Sequence, residues 1–162
     1  MEFKDKILEK LNSNFPSLHV ETTDFRGDFC IKFSADKVVE VCNLLKHDSE
    51  LQFVLCEDIT AIDWATSKNR FTMVYHLFSL ENKFRLRLKV DIDESISAVD
   101  TVSSVWRTAN WQEREVYDMY GITFNNHPDL RRMYMPEEFE YHPLRKEFPV
   151  MGIPGSLPLP KK

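Results

Sequence analysis

Between positions 113 and 146 the chain carries a dense set of side chains able to do chemistry. They are Glu113, Arg114, Glu115 and Asp118, then His127, Arg131 and Arg132, then His142, Arg145 and Lys146. Carboxylates beside a histidine suit general acid–base work, with Glu113, Asp118 and His127 in those roles, and Glu137, Glu138 and Glu140 offer a second acidic group. Two histidines plus carboxylates also suit a metal. Neither HxxxH nor HxH spacing occurs, and a proline follows both His127 and His142. Proline restricts the residue before it, so these histidines read better as fixed turns whose imidazoles bond backbone or carboxylate. No serine or cysteine nucleophile has a base nearby in sequence. The expectation is either capping with solvated ion pairs or a buried charge network that fixes the ribbon's path, with no catalytic, metal-ligating or cofactor-binding residue in this chain.

A helix over 111–120 would position the acidic cluster. At 3.6 residues per turn, Trp111, Arg114, Glu115 and Asp118 share one face. Arg114 and Asp118 sit at i, i+4, a pairing that contributes only about 0.2–0.5 kcal/mol when exposed. Val116, Tyr117 and Tyr120 lie opposite, with Glu113 among them. A carboxylate there needs a cation or backbone donors, and Arg131, Arg132 or Arg145 could fold back to supply the charge. Asn110 is the expected cap, with Glu113 at capping-box spacing, and Gly121 suits the C′ position.

Beyond that helix the chain is broken by proline; only Pro16 of the eight prolines precedes residue 128. Such a ribbon cannot join a ladder or close a core by itself. It reads as a docking strip ordered by a neighbouring polypeptide. Met133, Tyr134 and Met135, set between charges, fit the centre of an interface or a cover for the domain's own sheet. The expected division is an α+β domain over 1–121 and an extended docking segment over 122–162, with a flexible end over 151–162.

The remaining elements follow from periodicity. Phe3, Ile7, Leu8 and Leu11 mark a helix over 2–12. Strands are expected over 19–23 and 29–33, around a turn at 26–28. Ser34 would cap a helix over 35–47. Strands over 51–55, 70–80 and 83–92 follow, the last with Phe84, Leu86, Leu88 and Val90 alternating with charge; residues 81–82 would form a tight hairpin. Residues 60–64 could be strand or turn. A further helix is expected over 101–109. Irregular alternation of helices and hairpins indicates an α+β two-layer sandwich, with a mainly antiparallel sheet.

Composition narrows the function classes. The chain has 162 residues, 43% hydrophobic, and a net charge of −5. One core domain fits, and the acidic balance argues against nucleic acid as a partner. The charged N-terminal ten residues do not resemble a secretory signal, and no run approaches the roughly 18 apolar residues of a membrane span. Cys30, Cys42 and Cys56 lack any CxxC pairing, so reduced, buried thiols are expected. None of the four glycines builds a phosphate-cradling loop.

Three segments carry a family resemblance. They are Glu113-Arg114-Glu115-x-x-Asp118-Met119-Tyr120-Gly121-Ile122, His127-Pro128-x-Leu130-x-Arg132, and His142-Pro143-Leu144-Arg145-Lys146-x-Phe148-Pro149. Together they resemble the C subunit (30-kDa subunit) family of respiratory complex I, the NADH:quinone oxidoreductase. The likeness runs from about Ile59 to Pro149. It implies a peripheral-arm subunit held at the cytoplasmic face of a membrane only through its complex. It also implies no cofactor in this chain, with FMN and iron–sulfur clusters in partner subunits. The implied partner is the quinone-site (49-kDa, D) subunit, against which the ribbon would lie. Glu113, Arg114, Glu115 and Asp118 would then anchor the helix. His127, Arg131, Arg132, His142, Arg145 and Lys146 would fix the ribbon and meet the partner. Arg145→Ala would on this view impair assembly but leave the melting temperature nearly unchanged. Tyr141 stands where the family usually has glycine, which predicts an altered or strained turn, and Glu147 replaces a commoner aspartate. Related subunits serve energy-converting hydrogenases and photosynthetic NDH complexes, and an independent acid–base or metal enzyme is the alternative from another class.

Overall fold

A computed structural model describes residues 2–66, 68–150 and 152. The chain order is α1 (Phe3–Asn14), β1 (Glu21–Phe25), β2 (Asp28–Phe33), α2 (Val38–His47), β3 (Leu55–Asp63), β4 (Phe71–Ser79), β5 (Phe84–Ile92), β6 (Ala98–Asp100), α3 (Ala109–Tyr120) and β7 (Thr123–Asn125). Five strands form one sheet in the order β1-β2-β5-β4-β3. Every pairing in it is antiparallel except β2 with β5. The architecture is therefore α+β with a mainly antiparallel sheet, as the patterning predicts. No helix among the described residues is long and apolar enough to cross a membrane.

Alternation decides which side of the sheet is dry. Phe29, Ile31 and Phe33 of β2, Met73, Tyr75 and Leu77 of β4, and Leu86, Leu88 and Val90 of β5 are buried. Register brings Ile31, Leu88, Tyr75 and Ile59 side by side across four strands. They share one core with Ile7 and Leu11 of α1 and Val38, Val41, Cys42 and Leu45 of α2. Each such side chain contributes about 1.5–3 kcal/mol when removed from water. The opposite face carries Lys32, Arg85, Arg87 and Asp91, tied as Lys32–Asp91, Arg85–Glu57 and Arg87–Asp28 ion pairs. Cys30, Cys42 and Cys56 are free and buried.

Turn chemistry sets the first hairpin. Phe25 pairs with Asp28, leaving Arg26 and Gly27 as a two-residue loop. Their φ values of 55° and 90° are the double left-handed conformation that matches strand twist.

Several local expectations give way to tertiary contacts. Residues 51–55 are not a ladder strand: the Phe53 amide caps Leu45 O of α2, and Leu51 O accepts from Ser79 Oγ and Asn82 Nδ2. The ladder begins at Leu55 instead, and the ambiguous 60–64 stretch belongs to β3 as far as Asp63. Ser34 directs its hydroxyl to the Asp36 carboxylate rather than to a helix amide, and a 3-10 turn precedes α2. The β4–β5 loop spans 80–83, longer than a two-residue hairpin, with Lys83 at φ 50°. Residues 101–108 make turns, not a helix, and bury Val102, Val105 and Trp106.

The boundary expected at residue 121 does not divide the fold. β7 lies beyond it and pairs in parallel with β6, before it. Both strands are three residues long, too short to show periodicity. The end expected to be flexible, 151–162, lies outside the described residues apart from Gly152.

Candidate functional site: a helix gripped by the ribbon

The last four carbonyls of a helix have no partner within it. In α3 these belong to Tyr117, Asp118, Met119 and Tyr120, and each finds a donor. The Gly121 amide reaches Tyr117 O at 2.9 Å and the Leu144 amide reaches Met119 O at 3.0 Å. His142 Nδ1 donates to Asp118 O at 2.9 Å, and Arg145 Nε donates to Tyr120 O at 2.6 Å. Three of the four caps come from 142–145, so the ribbon itself terminates the helix. Gly121 adopts φ 73°, and a Cβ there would sit 2.5 Å from His142 Nε2.

Asp118 is the second fixing point, fully buried. Its Oδ2 accepts three successive amides, from Met133 at 3.0 Å, Tyr134 at 2.7 Å and Met135 at 3.0 Å. Arg132 Nη1 closes on Oδ1 at 2.7 Å. Burial alone would raise this carboxyl, but the amides and the Arg132 guanidinium outweigh it and hold it below its ordinary range. The expected Arg114–Asp118 pair is absent. Arg114 instead donates to the carbonyls of Arg131 and Arg132, with its guanidinium over the Trp111 ring.

A third clamp joins the ribbon to the sheet. Asp63 ends β3 on the buried parity shared by Ile59 and Ala61. Arg70 binds it through Nε and Nη2, both at 3.0 Å. The Lys146 amide adds a bond to Asp63 Oδ2 at 2.9 Å. Arg70 also reaches Glu94 and Glu147. Burial opposes the Asp63 charge, but Arg70 and the amides of Lys146 and Ala65 prevail and bring its carboxyl down to about 2. Arg145 stacks over Phe71, its guanidinium 5.4 Å from the ring centre.

Glu113 lies in the dry interior and does not form the expected capping box. The Val102 amide donates to Oε1 at 2.7 Å and the Thr101 hydroxyl to Oε2. Burial pushes its carboxyl up to about 7 against both bonds. His127 Nε2 stands 3.7 Å from Oε2, and neither side chain is exposed. The tolerance of this carboxylate thus comes from Thr101 and Val102, not from an arginine of the ribbon.

These contacts occupy Glu113, Asp118 and His127, the side chains first named above for acid–base work. Asp118 already holds four donors and Glu113 is sealed from solvent, so neither can meet a substrate without rearrangement. Among the described residues, no group of three or more His, Cys, Asp or Glu side chains is spaced to hold a metal.

A chain whose HPLR segment caps the ERE helix has a counterpart among known sequences. The family described as "Respiratory-chain NADH dehydrogenase, 30 Kd subunit" matches residues 31–153. This chain belongs to that family. The C subunit of the NADH-quinone oxidoreductase of Geobacter metallireducens is 46% identical, over 92% of this chain and 91% of its own length. That of Geobacter sulfurreducens is 44% identical, over 94% and 93%. A solved trypsin-resistant fragment of Nqo5 is 29% identical with a TM-score of 0.63, covering 78% of this chain and 98% of the fragment. A chain of an archaeal membrane-bound sulfane sulfur reductase shares the fold at 23% identity and a TM-score of 0.77, covering 93% and 88%.

Within this 30-kDa-family chain the signature residues fall into two groups. Glu113, Arg114, Asp118, Arg132, His127, His142 and Arg145 turn inward onto α3, the 101–102 turn or the ribbon. Glu115 and Arg131 stay exposed, the first 3.5 Å from the Tyr134 hydroxyl and the second paired with Asp129. Lys146 is exposed and contributes its backbone amide rather than its charge. The ribbon up to residue 149 is therefore ordered by its own domain, which corrects the expectation that a neighbour must order it. Tyr141, in the family's glycine position, does not take positive φ. Its ring packs on Phe139 and Phe148, at 5.7 and 6.4 Å between centroids, in place of the expected strain. Asp63, Arg70 and Thr101 escaped the sequence reading. A carboxylate at a core-parity strand position was the signal for the first.

Proposed function

We propose that this chain is the C subunit of an NADH:quinone oxidoreductase. It braces the quinone-site (49-kDa, D) subunit at the cytoplasmic face of the membrane and contributes no catalytic group. Electrons pass through FMN and iron–sulfur clusters in partner subunits. One observation carries the reading. The ribbon spends its polar groups inward on α3 and β3, while Trp111, Tyr134, Tyr141 and Leu144 remain 57%, 58%, 48% and 50% exposed on the outer side of the same unit. Large exposed apolar side chains on a unit whose polar groups are already satisfied favour a protein interface. The domain presents a rigid, pre-ordered strip, so docking costs little conformational entropy.

The test is recovery of the tagged chain from solubilised membranes, with its companions identified by mass spectrometry. A 49-kDa subunit and flavin- and iron–sulfur-bearing subunits are expected. Tyr134→Ala with Leu144→Ala should lose those companions while the purified chain melts as before. Companions of a hydrogenase, or stoichiometric metal in the lone chain, would overturn the reading.

A further inference from the structure

The two histidines of the ribbon are wired in opposite senses. His142 uses Nδ1 as a donor, to Asp118 O. His127 uses Nδ1 as an acceptor, from the Asp129 amide at 3.0 Å, while its Nε2 donates to Asn110 O at 3.2 Å. Only one neutral tautomer satisfies both His127 bonds, with the proton on Nε2. A second proton has one place to go, Nδ1, where it would point at the Asp129 N–H. Protonation of His127 and its bond to Asp129 are therefore mutually exclusive, whereas a second proton on His142 would sit on Nε2 and leave its bond to Asp118 intact.

From this geometry we infer that His127 is an acid-released latch at the root of the ribbon: taking up a proton expels the Asp129 amide and unseats the 127–132 turn from α3. The rest of the turn is held by Leu130 packed on the core and by polar ties through Arg114 and Arg132. Asp129 pairs with Arg131 and lies 3.9 Å from Arg114 Nη1, and Arg114 holds the carbonyls of Arg131 and Arg132. Release at His127 thus propagates to the contact that seats Arg132 on Asp118.

The groups facing the ring pull in opposite directions, and burial sets the balance. From α3 come Glu113 and Arg114, from the ribbon Asp129, and from β7 only the uncharged Phe124 ring, 6.5 Å away. Burial holds His127 below its ordinary range and Arg114 adds to it, outweighing the Asn110 carbonyl and Asp129. A depressed histidine favours the fold above its unfolded value, near 6.5, and the contribution is lost as pH falls through the lower folded value. The latch is shut at neutral pH and opens in acid. This holds for the isolated chain and does not depend on which complex receives it.

Nitrogen-15 NMR of the full-length chain tests the inference in two ways. At pH 8 the His127 Nδ1 should be bare and Nε2 protonated; a protonated Nδ1 at that pH overturns the proposal without any variant. On acidification, the Asp129 amide should lose its protection from solvent exchange in step with His127 titration, at least tenfold after correction for intrinsic rates. His127→Asn keeps an acceptor for that amide but cannot titrate, so its Asp129 protection should stay flat over the same range. His142→Asn should leave the wild-type response in place. An Asp129 amide indifferent to His127 protonation, or an equal response in His127→Asn, would sink it.

Discussion

Gly121 and His142 approach so closely that no side chain fits between them: a methyl on Gly121 would lie 2.5 Å from His142 Nε2 and 2.9 Å from Arg145 Nη2. The glycine is needed twice over, for a left-handed φ of 73° and for the space the ribbon occupies. Gly121→Ala should therefore destabilise the chain by more than the roughly 1–3 kcal/mol of a left-handed non-glycine residue. Urea unfolding would measure it. The variant should also become cleavable by trypsin at Arg145 and Lys146 under native conditions. A wild-type unfolding midpoint would show that the close approach relaxes at no cost.

Arg145 supplies a helix-capping bond and a stacked guanidinium, both within the domain. Arg145→Ala should thus lower stability by about 1–2 kcal/mol, which in a chain of this size moves the melting temperature by roughly 2–8 °C. This revises the expectation of an unchanged melting temperature, because the guanidinium serves its own domain and not a partner alone. Arg145→Lys should recover little, since an ammonium neither stacks nor donates in the same plane. Differential scanning calorimetry of the two variants decides between the readings.

Asp63 titrates near 2 in the fold against an ordinary value of 3.8. A depressed carboxyl stabilises above its unfolded value and loses that contribution as pH falls through the folded one. The shift corresponds to on the order of 2 kcal/mol, lost between about pH 4 and pH 2. Asp63→Asn should flatten that part of the acid limb and lower stability at pH 7, because it removes the buried charge that binds Arg70 at two points and the Lys146 amide. Unfolding free energies across pH 2–7 would reveal an unchanged acid limb if the assignment is wrong.

Glu113 carries the opposite sign. Its raised carboxyl stabilises below the unfolded value of 4.5, and that contribution disappears as pH rises through about 7. The corresponding loss between about pH 5 and pH 8 is on the order of 2–3 kcal/mol. Glu113→Gln keeps an acceptor for the Val102 amide and removes the titration. It should match wild type in mild acid and exceed it at pH 8. Parallel unfolding curves for the two proteins from pH 5 to pH 8 would contradict a buried, near-neutral Glu113.

Periodicity is most informative where one side of an element is dry. The alternation of Phe84, Leu86, Leu88 and Val90 with charge is enough to define β5, because a strand exposes every second residue. It misleads at 51–55, where Leu51 and Phe53 are buried as alternation requires but their backbone groups cap α2 and bond Ser79. Burial parity and ladder pairing are separate properties, and the sequence reports only the first. The 101–108 turns and the β6–β7 pair stay hidden for a related reason, being too short for a period.

What the sequence determined by itself was the class of fold, the helix ending at Gly121, and the set of charges to be satisfied. Composition and local spacing suffice for these, since they depend on neighbours a few residues away. Tertiary structure alone decided which group meets which charge: that Glu113 answers to Thr101 and Val102, that Asp118 gathers three ribbon amides, and that Asp63 at the end of β3 accepts the Lys146 amide. A proline-broken ribbon has no ladder of its own, so its polar groups must be met elsewhere. The unfilled carbonyls at the end of α3, brought beside it by the fold, are where half-buried donors lose least by leaving water.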